Sequence, residues 1–444
     1  MSDQKLERPT FREALLFWIK LGFISFGGPT GQIAMMYEFL VEKKKWISDS
    51  KFLNALNYCM ILPGPEAQQL AIYIGWLLHG IFGGLVAGIL FVLPSVFILL
   101  GLSTIYVTFG SIPWIYALFD GLKPAVIAIV LQVLIKIGQK SLTGTFHYAI
   151  AAISFVAIFF LKIPFPVIVF SAIIIGMVLV NFFFDYFKKD SESKAKYLDE
   201  DDYYLNSKTP NKTVSIPSLV KQFFVSLALW VTPFFLFYFF TKDFSFWKKL
   251  SLFFTQAALI TVGGAYAVLP YVAQVTVEEF HWLSSLQMID GLALGETTPG
   301  PLIMVLAFVG FMAGYNHYGH SILSGALGLL TTTFYTFLPS FVFIFVGAPL
   351  IEKLQHNKKI KITLSLVTAA IVGVILNLAV YFADAVIFPK GLDFQNINYF
   401  ALIWSLTSFV AMYRFKIGMI PWIGVSALAG LSMYLFQTYF RKFF

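Results

Sequence analysis

Pro63-Gly64-Pro65 occurs a second time, 236 residues further on, as Pro299-Gly300-Pro301. The residues around it recur at the same step: Gly27-Gly28, Trp46 and Ser48 are matched by Gly263-Gly264, Trp282 and Ser284. Phe17 and Phe253, Ile24 and Ile260, Leu56 and Leu292, and Ala71 and Ala307 keep the spacing, with no gap across the span. Self-similarity at so long a period is duplication of a whole structural unit, and in a membrane chain it means two packed halves rather than a solenoid.

That the chain lies in a membrane follows from its composition. Of 444 residues, 58% are hydrophobic and 12% charged, and the mean hydropathy is +0.79. A soluble domain carries roughly twice that charge. The apolar residues fall in windows of about 20, the length a helix needs to cross a hydrocarbon core in which every backbone polar group must find its partner within the protein. The fold expected is an all-α polytopic membrane protein. The net charge of +8 comes from 31 Lys and Arg against 23 Asp and Glu. These basic residues sit at the ends of apolar segments, as in cytoplasmic loops beside anionic lipid, so nucleic acid is not an expected partner.

Cys59 is the only cysteine, which excludes an internal disulfide and any metal site built from cysteines. His317-x-x-His320 lacks a neighbouring carboxylate or cysteine in sequence and makes a poor metal site. The first ten residues are polar, without the pattern of a cleavable signal, and are expected on the cytoplasmic side. No nucleotide-binding Gly-x-x-x-x-Gly-Lys and no His-Glu-x-x-His occurs, and nothing has the spacing of a catalytic constellation. Neither an ATP-driven pump complete in itself nor an enzyme is expected, and no cofactor.

Along the chain, residues 10–184 form the first repeat, 185–216 a polar cytoplasmic linker, 217–243 an extra transmembrane helix and 247–440 the second repeat. The first two apolar blocks of each repeat are interrupted, at Gly27 to Gly31, Pro63 to Glu66, Gly263 to Tyr266 and Thr297 to Pro301. Proline removes a donor and clashes with the preceding turn while glycine relaxes the backbone, so these are helix breaks. Leu93-Pro94-Ser95 is echoed by Leu338-Pro339-Ser340 at a step of 245, so the second repeat has gained nine residues near Tyr315 to His320.

The flanking charges predict that the halves are inverted. Lys43, Lys44, Lys45 and Lys51 surround a loop whose counterpart, 271–286, has no lysine and carries Glu278 and Glu279. Conversely, the loop 109–119 has no Lys or Arg, and its counterpart has Lys353, Lys358, Lys359 and Lys361. A reciprocal exchange of this kind is what the positive-inside bias produces in oppositely oriented repeats. An odd number of crossings separates the repeats whether the broken blocks span the membrane or re-enter it, and the charges fit re-entrant hairpins better.

Broken helices leave backbone N–H groups and the positive end of the helix dipole inside the protein, where an anion can be held without a full cationic side chain. Neutral donors lie close in sequence. The candidate substrate-binding residues are Ser25, Gly27, Gly28, Thr30, Gly31, Gln32, Pro63, Gly64, Pro65, Gln68, Thr261, Gly263, Gly264, Tyr266, Thr297, Thr298, Pro299, Gly300 and Pro301. Glu66 directly follows the first Pro-Gly-Pro, and Glu296 stands three residues before the second. An intramembrane carboxylate is costly unless paired or protonated, which makes both candidates for coupling. Lys20, two helical turns before Gly27, is a candidate for drawing an anion inward.

Phe26-Gly27-Gly28-Pro29, Leu62-Pro63-Gly64-Pro65-Glu66, and the copies Gly263-Gly264-Ala265-Tyr266 and Thr298-Pro299-Gly300-Pro301 resemble the chromate ion transporter family, over roughly 10–184 and 247–440. The resemblance implies a two-domain carrier in the cytoplasmic membrane that extrudes chromate, a tetrahedral dianion, and that the regions matching Gly27 to Gln32 and Pro63 to Glu66 matter for transport. Its alternative is an importer of sulfate or a related oxyanion. The partners expected are the oxyanion and the lipid bilayer, with a homodimer admitted.

Overall fold

The computed structural model describes residues 9–26, 28–182, 203–206, 216–241, 243–262, 264–347, 358–389, 391 and 394–440. Among them, seven helices are long and apolar enough to cross a membrane. The halves begin alike. Helix α1 (Phe11–Ile24) opens on a capping box: the Glu13 N–H donates to Thr10 Oγ1, and the Thr10 N–H donates to Glu13 Oε2. The helix stops before Ser25-Phe26, and α2 (Gly28–Tyr37), continued by a π-helical turn at Glu38–Lys43, doubles back along it. Phe17 stacks on Phe39 with ring centroids 4.1 Å apart, and Lys44 comes within 3.9 Å of Glu13.

A second doubling back follows. Ser48 caps α3 (Asp49–Cys59), the chain breaks at residues 60–65, and α4 (Glu66–Phe109) begins. Tyr58 and Tyr73 face one another at 5.4 Å. The long α4 turns sharply at His79 and Gly80, where a φ of 72° favours glycine, so that 66–78 lies against 81–109. There Gly75 and Gly83 are so close that a Cβ on either would overlap the other's carbonyl oxygen.

The second half repeats this with α9 (Phe244–Ile260), α10 (Ala265–Ala273), α11 (Ser285–Thr297), α12 (Val305–His317) and α13 (Ile322–Val342). Ser284, the counterpart of Ser48, caps α11 and exchanges bonds with Gln287. Phe253 meets Phe280 at 5.4 Å, the repeat of Phe17 on Phe39 displaced by one turn. Between the two sets, α8 (Ile216–Phe240) lies at the periphery, where the extra helix is expected, with none of its apolar window buried. Its anchors are the Trp230 indole, which donates to Thr255 Oγ1 at 3.0 Å, the Trp230 carbonyl, which accepts from Tyr335, and Phe237 stacked on Trp247.

The remaining helices exchange partners between halves. In the first half, α5 (Pro113–Ser141) packs against α15 (Tyr399–Tyr413) and α16 (Met419–Phe440) of the second. In return, α14 (Lys358–Ile387) packs against α6 (Thr145–Phe159) and α7 (Phe165–Phe182). Small residues permit the closest approach: a Cβ on Gly121 would stand 2.7 Å from the Gly430 Cα. Of the linker expected at 185–216, Tyr203–Asn206 are described, with Ile216 opening α8. Leu205 is buried and pairs with Ile47, its N–H donating to the Trp46 carbonyl at 3.0 Å.

Candidate functional site

The breaks of the two halves meet. The Gly64 N–H donates to the Thr261 carbonyl at 2.7 Å, and the Gly300 N–H donates to the Ser25 carbonyl at 2.9 Å. Gly64 and Gly300 are repeat partners, as are Ser25 and Thr261, so one bond is made twice, each time across the halves. Positive φ at Gly64 (116°) and Gly300 (98°) turns the peptide toward the opposite half. Side chains reinforce the crossing. Ser95 on α4 donates to the Pro299 carbonyl, and its counterpart Ser340 on α13 lies so close to Gly64 that a Cβ there would be 3.1 Å from its Oγ. Gln32 Nε2 bridges the Gly300 carbonyl at 2.6 Å and the Ser25 carbonyl at 3.2 Å, and Gln69 Nε2 holds the Pro63 carbonyl at 2.7 Å.

Four helical segments therefore start from one buried crossing: α2 at Gly28, α4 at Glu66, α10 at Ala265, and the short turn Leu302–Met304 that leads into α12. The first-turn amides of a helix lack intrahelical acceptors, and its dipole is positive at that end. What the site can do chemically is hold negative charge with neutral groups.

The predicted residues divide when placed on this frame. Ser25, Gln32 and Gln68 are fully buried, and Ser25 Oγ, Gln32 Oε1 and Gln68 Oε1 have no hydrogen-bond partner among the described residues. Gly28 and Gly264, with φ of 71° and 101°, open α2 and α10. Gly27 and Gly263 lie outside the described residues. Pro65, Pro299 and Pro301 are buried, Pro63 and Gly31 partly so, and Thr30 is exposed. The hydroxyls of Thr261, Thr297 and Thr298 donate to the carbonyls of Ala257, Leu294 and Gly295, at 2.6, 2.7 and 2.8 Å. Each hydroxyl thus serves a carbonyl in the last turn of its helix. Tyr266 and Glu296, both candidates, are brought together, the phenol donating to Glu296 Oε1 at 2.5 Å. Glu66 is the first residue of α4, within the electrostatic reach of Lys140 and Cys59. Lys20 is exposed on α1.

Sequence reasoning left Ser95 and Ser340 out of the site, although the Leu-Pro-Ser echo was the signal for them. A second polar cluster lies across the halves at the other end of α4. Asp290 on α11 is buried and its Oδ2 accepts from the Tyr106 hydroxyl at 2.8 Å. Lys123 on α5 is buried nearby and donates to Asp120 at 3.2 Å. Among the described residues, no group of three His, Cys, Asp or Glu is placed to hold a metal.

The fold and site define a helical, multi-pass membrane protein of two like halves whose interrupted helices meet at a buried polar crossing. The chain belongs to the chromate transporter family, whose sequence model matches residues 12–177 and again 248–431. It is thus a transport protein and not an enzyme. A chromate transport protein of Cupriavidus metallidurans is 27% identical over 84% of this chain and 83% of its own. A chromate transport protein of Pseudomonas aeruginosa is 28% identical over 81% and 77%. An uncharacterized transporter of Methanocaldococcus jannaschii is 26% identical over 93% and 92%. No solved structure gives a significant match.

Proposed function

We propose that this protein carries chromate out across the cytoplasmic membrane, binding the dianion at the crossing of the four breaks. The observation that carries the reading is the reciprocal pair of bonds, Gly64 to Thr261 and Gly300 to Ser25, which gathers the amino ends of α2, α4, α10 and the turn before α12. Backbone amides would hold the oxygens, with Ser25 and Ser340, whose buried hydroxyls are unpartnered among the described residues, as the side-chain donors.

Two sets of contacts support an inverted, re-entrant arrangement. Gly84 of α4 faces Phe345 and Gly88 faces Phe341, so α4 and its counterpart α13 run antiparallel where they touch. The first half's hairpins gather at the start of 81–109, where Phe11 stacks on Phe82, and the second half's gather at its end, where Tyr106 meets Phe308. In this reading each hairpin returns to its own face and the crossing lies near mid-membrane, the plan of carriers with discontinuous helices. Glu66 and Glu296 are the carboxylates placed to couple a proton, and Lys20 draws anions toward the first hairpin.

A dianion leaving an inside-negative cell gains about 2.3 kcal/mol per charge for each 100 mV, so export needs no further driving ion. Import of sulfate is the second reading, favoured by a site of neutral donors that fits any tetrahedral dianion of similar size. Flux of chromate and of sulfate into proteoliposomes, with voltage and pH gradients imposed separately, tests both. Voltage-driven chromate flux is expected; flux of neither anion under either gradient would exclude a carrier.

A further inference from the structure

A cavity of about 320 Å³ lies at the far end of α4 from Pro9 and His79, between the halves. Tyr106, Tyr116, Gln287, Asp290, Asn316 and His320 are among its walls. Two walls, α11 and α12, are the arms of the hairpin whose tip is Pro299-Gly300-Pro301, so an anion reaching the crossing from this face travels along them. Asp290 stands ten residues before Gly300, roughly 15 Å along a helix. Asp290 lines the cavity; its Oδ2 is held by Tyr106, while its buried Oδ1 has no partner among the described residues. A charged carboxylate at this place repels a dianion in a setting where water screens little.

We propose that Asp290 is an electrostatic gate on the oxyanion path: ionised, it bars a dianion from the cavity, and a proton at Oδ1 admits it. This rests on the carrier reading. The buried Lys123 ammonium lies close enough to act on Asp290 electrostatically, but its own hydrogen bond goes to Asp120. It partly offsets the carboxylate when the cavity is empty, and with Asp290 neutral its charge faces Asp120 alone. The other groups facing α11 are few. From α4 comes Tyr106, and from α5 Tyr116 and Asp120. Tyr315 and His320 close the cavity from α12 and the turn after it. From α14 comes Tyr381, bonded to Ser285 at the start of α11 and within the field of Asp384. The described part of α16, also packed on α11, has no charged residue.

The test is voltage-driven chromate flux in proteoliposomes as the buffer on the cavity side is varied from acidic to alkaline. Wild-type flux is expected to rise on acidification. Asp290→Asn, which keeps an acceptor for Tyr106, should abolish that dependence and raise the alkaline flux at least about tenfold, since the repelling charge is gone. Tyr106→Phe should move the profile toward alkaline values, because the charged carboxylate has lost a donor. Flux that keeps its wild-type pH dependence in Asp290→Asn overturns the gate alone. Flux lowered equally at every pH assigns Asp290 a structural role and overturns it as well. Wild-type protein that carries neither chromate nor sulfate removes the gate together with the carrier.

Discussion

At the residue scale, Gly64 and Gly300 decide whether the halves can cross. Each has a positive φ, and an added Cβ would meet Ser340 and Gln69 at the first and Ser95 at the second. Gly64→Ala and Gly300→Ala should each lose about 1–3 kcal/mol from backbone strain, with steric overlap in addition, and should abolish flux. Gly28→Ala has positive φ but open space around it, so its loss should stay near 1–2 kcal/mol. Thermal unfolding in detergent ranks the three; equal losses would mean that the close contacts carry no weight. Gln32→Leu removes the bridge and should lower stability by about 1–3 kcal/mol, because the buried Gly300 carbonyl loses its side-chain donor, whereas the Ser25 carbonyl keeps the Gly300 N–H. The glycines could be read from the sequence because the pattern repeats. The work of Gln32 could not, since its partner lies 268 residues away. Nor does a sequence show that the hydroxyls of Thr261, Thr297 and Thr298 bond carbonyls of their own helices.

At the scale of elements, the breaks were legible because proline and glycine act locally, whereas the partners of α5 and α14 were not. Those two helices pack on the opposite half, and the residues that permit it are single glycines in apolar runs that read as lipid-facing. Gly121→Leu should therefore separate α5 from α16 and destabilise the fold by more than the 1–3 kcal/mol usual for overpacking, because the obstruction is backbone of a helix and not a movable side chain. The double variant Gly121→Leu with Gly430→Leu should be no worse than additive only if the contact is already lost in the single one. A different outcome is expected for α8. Its hold rests on Trp230 and Phe237, so Trp230→Phe, which forfeits one hydrogen bond, should cost only about 0.5–1.5 kcal/mol and leave flux intact. A complete loss of flux would place α8 within the transport machinery.

For the whole molecule, the repeat says that there are two like halves, and the lysines that flank it supply a direction. Contacts fix neither face of the membrane, so orientation has to be measured. Lys44 and Glu279 are exposed at corresponding loops of the two halves, after the first doubling back in each. The one native thiol, Cys59, is fully buried, so a cysteine introduced at either position reports alone. If the halves are inverted, a membrane-impermeant thiol reagent added outside sealed cells should label Glu279→Cys and spare Lys44→Cys until the membrane is opened. By the positive-inside bias, the lysine cluster at Lys43 to Lys45 is expected to be the protected, cytoplasmic position. Labelling of both from the same side would make the halves parallel. The four amino ends could not then approach one anion from opposite faces, and the crossing at Gly64 and Gly300 would be a packing contact without a carrier's alternating access.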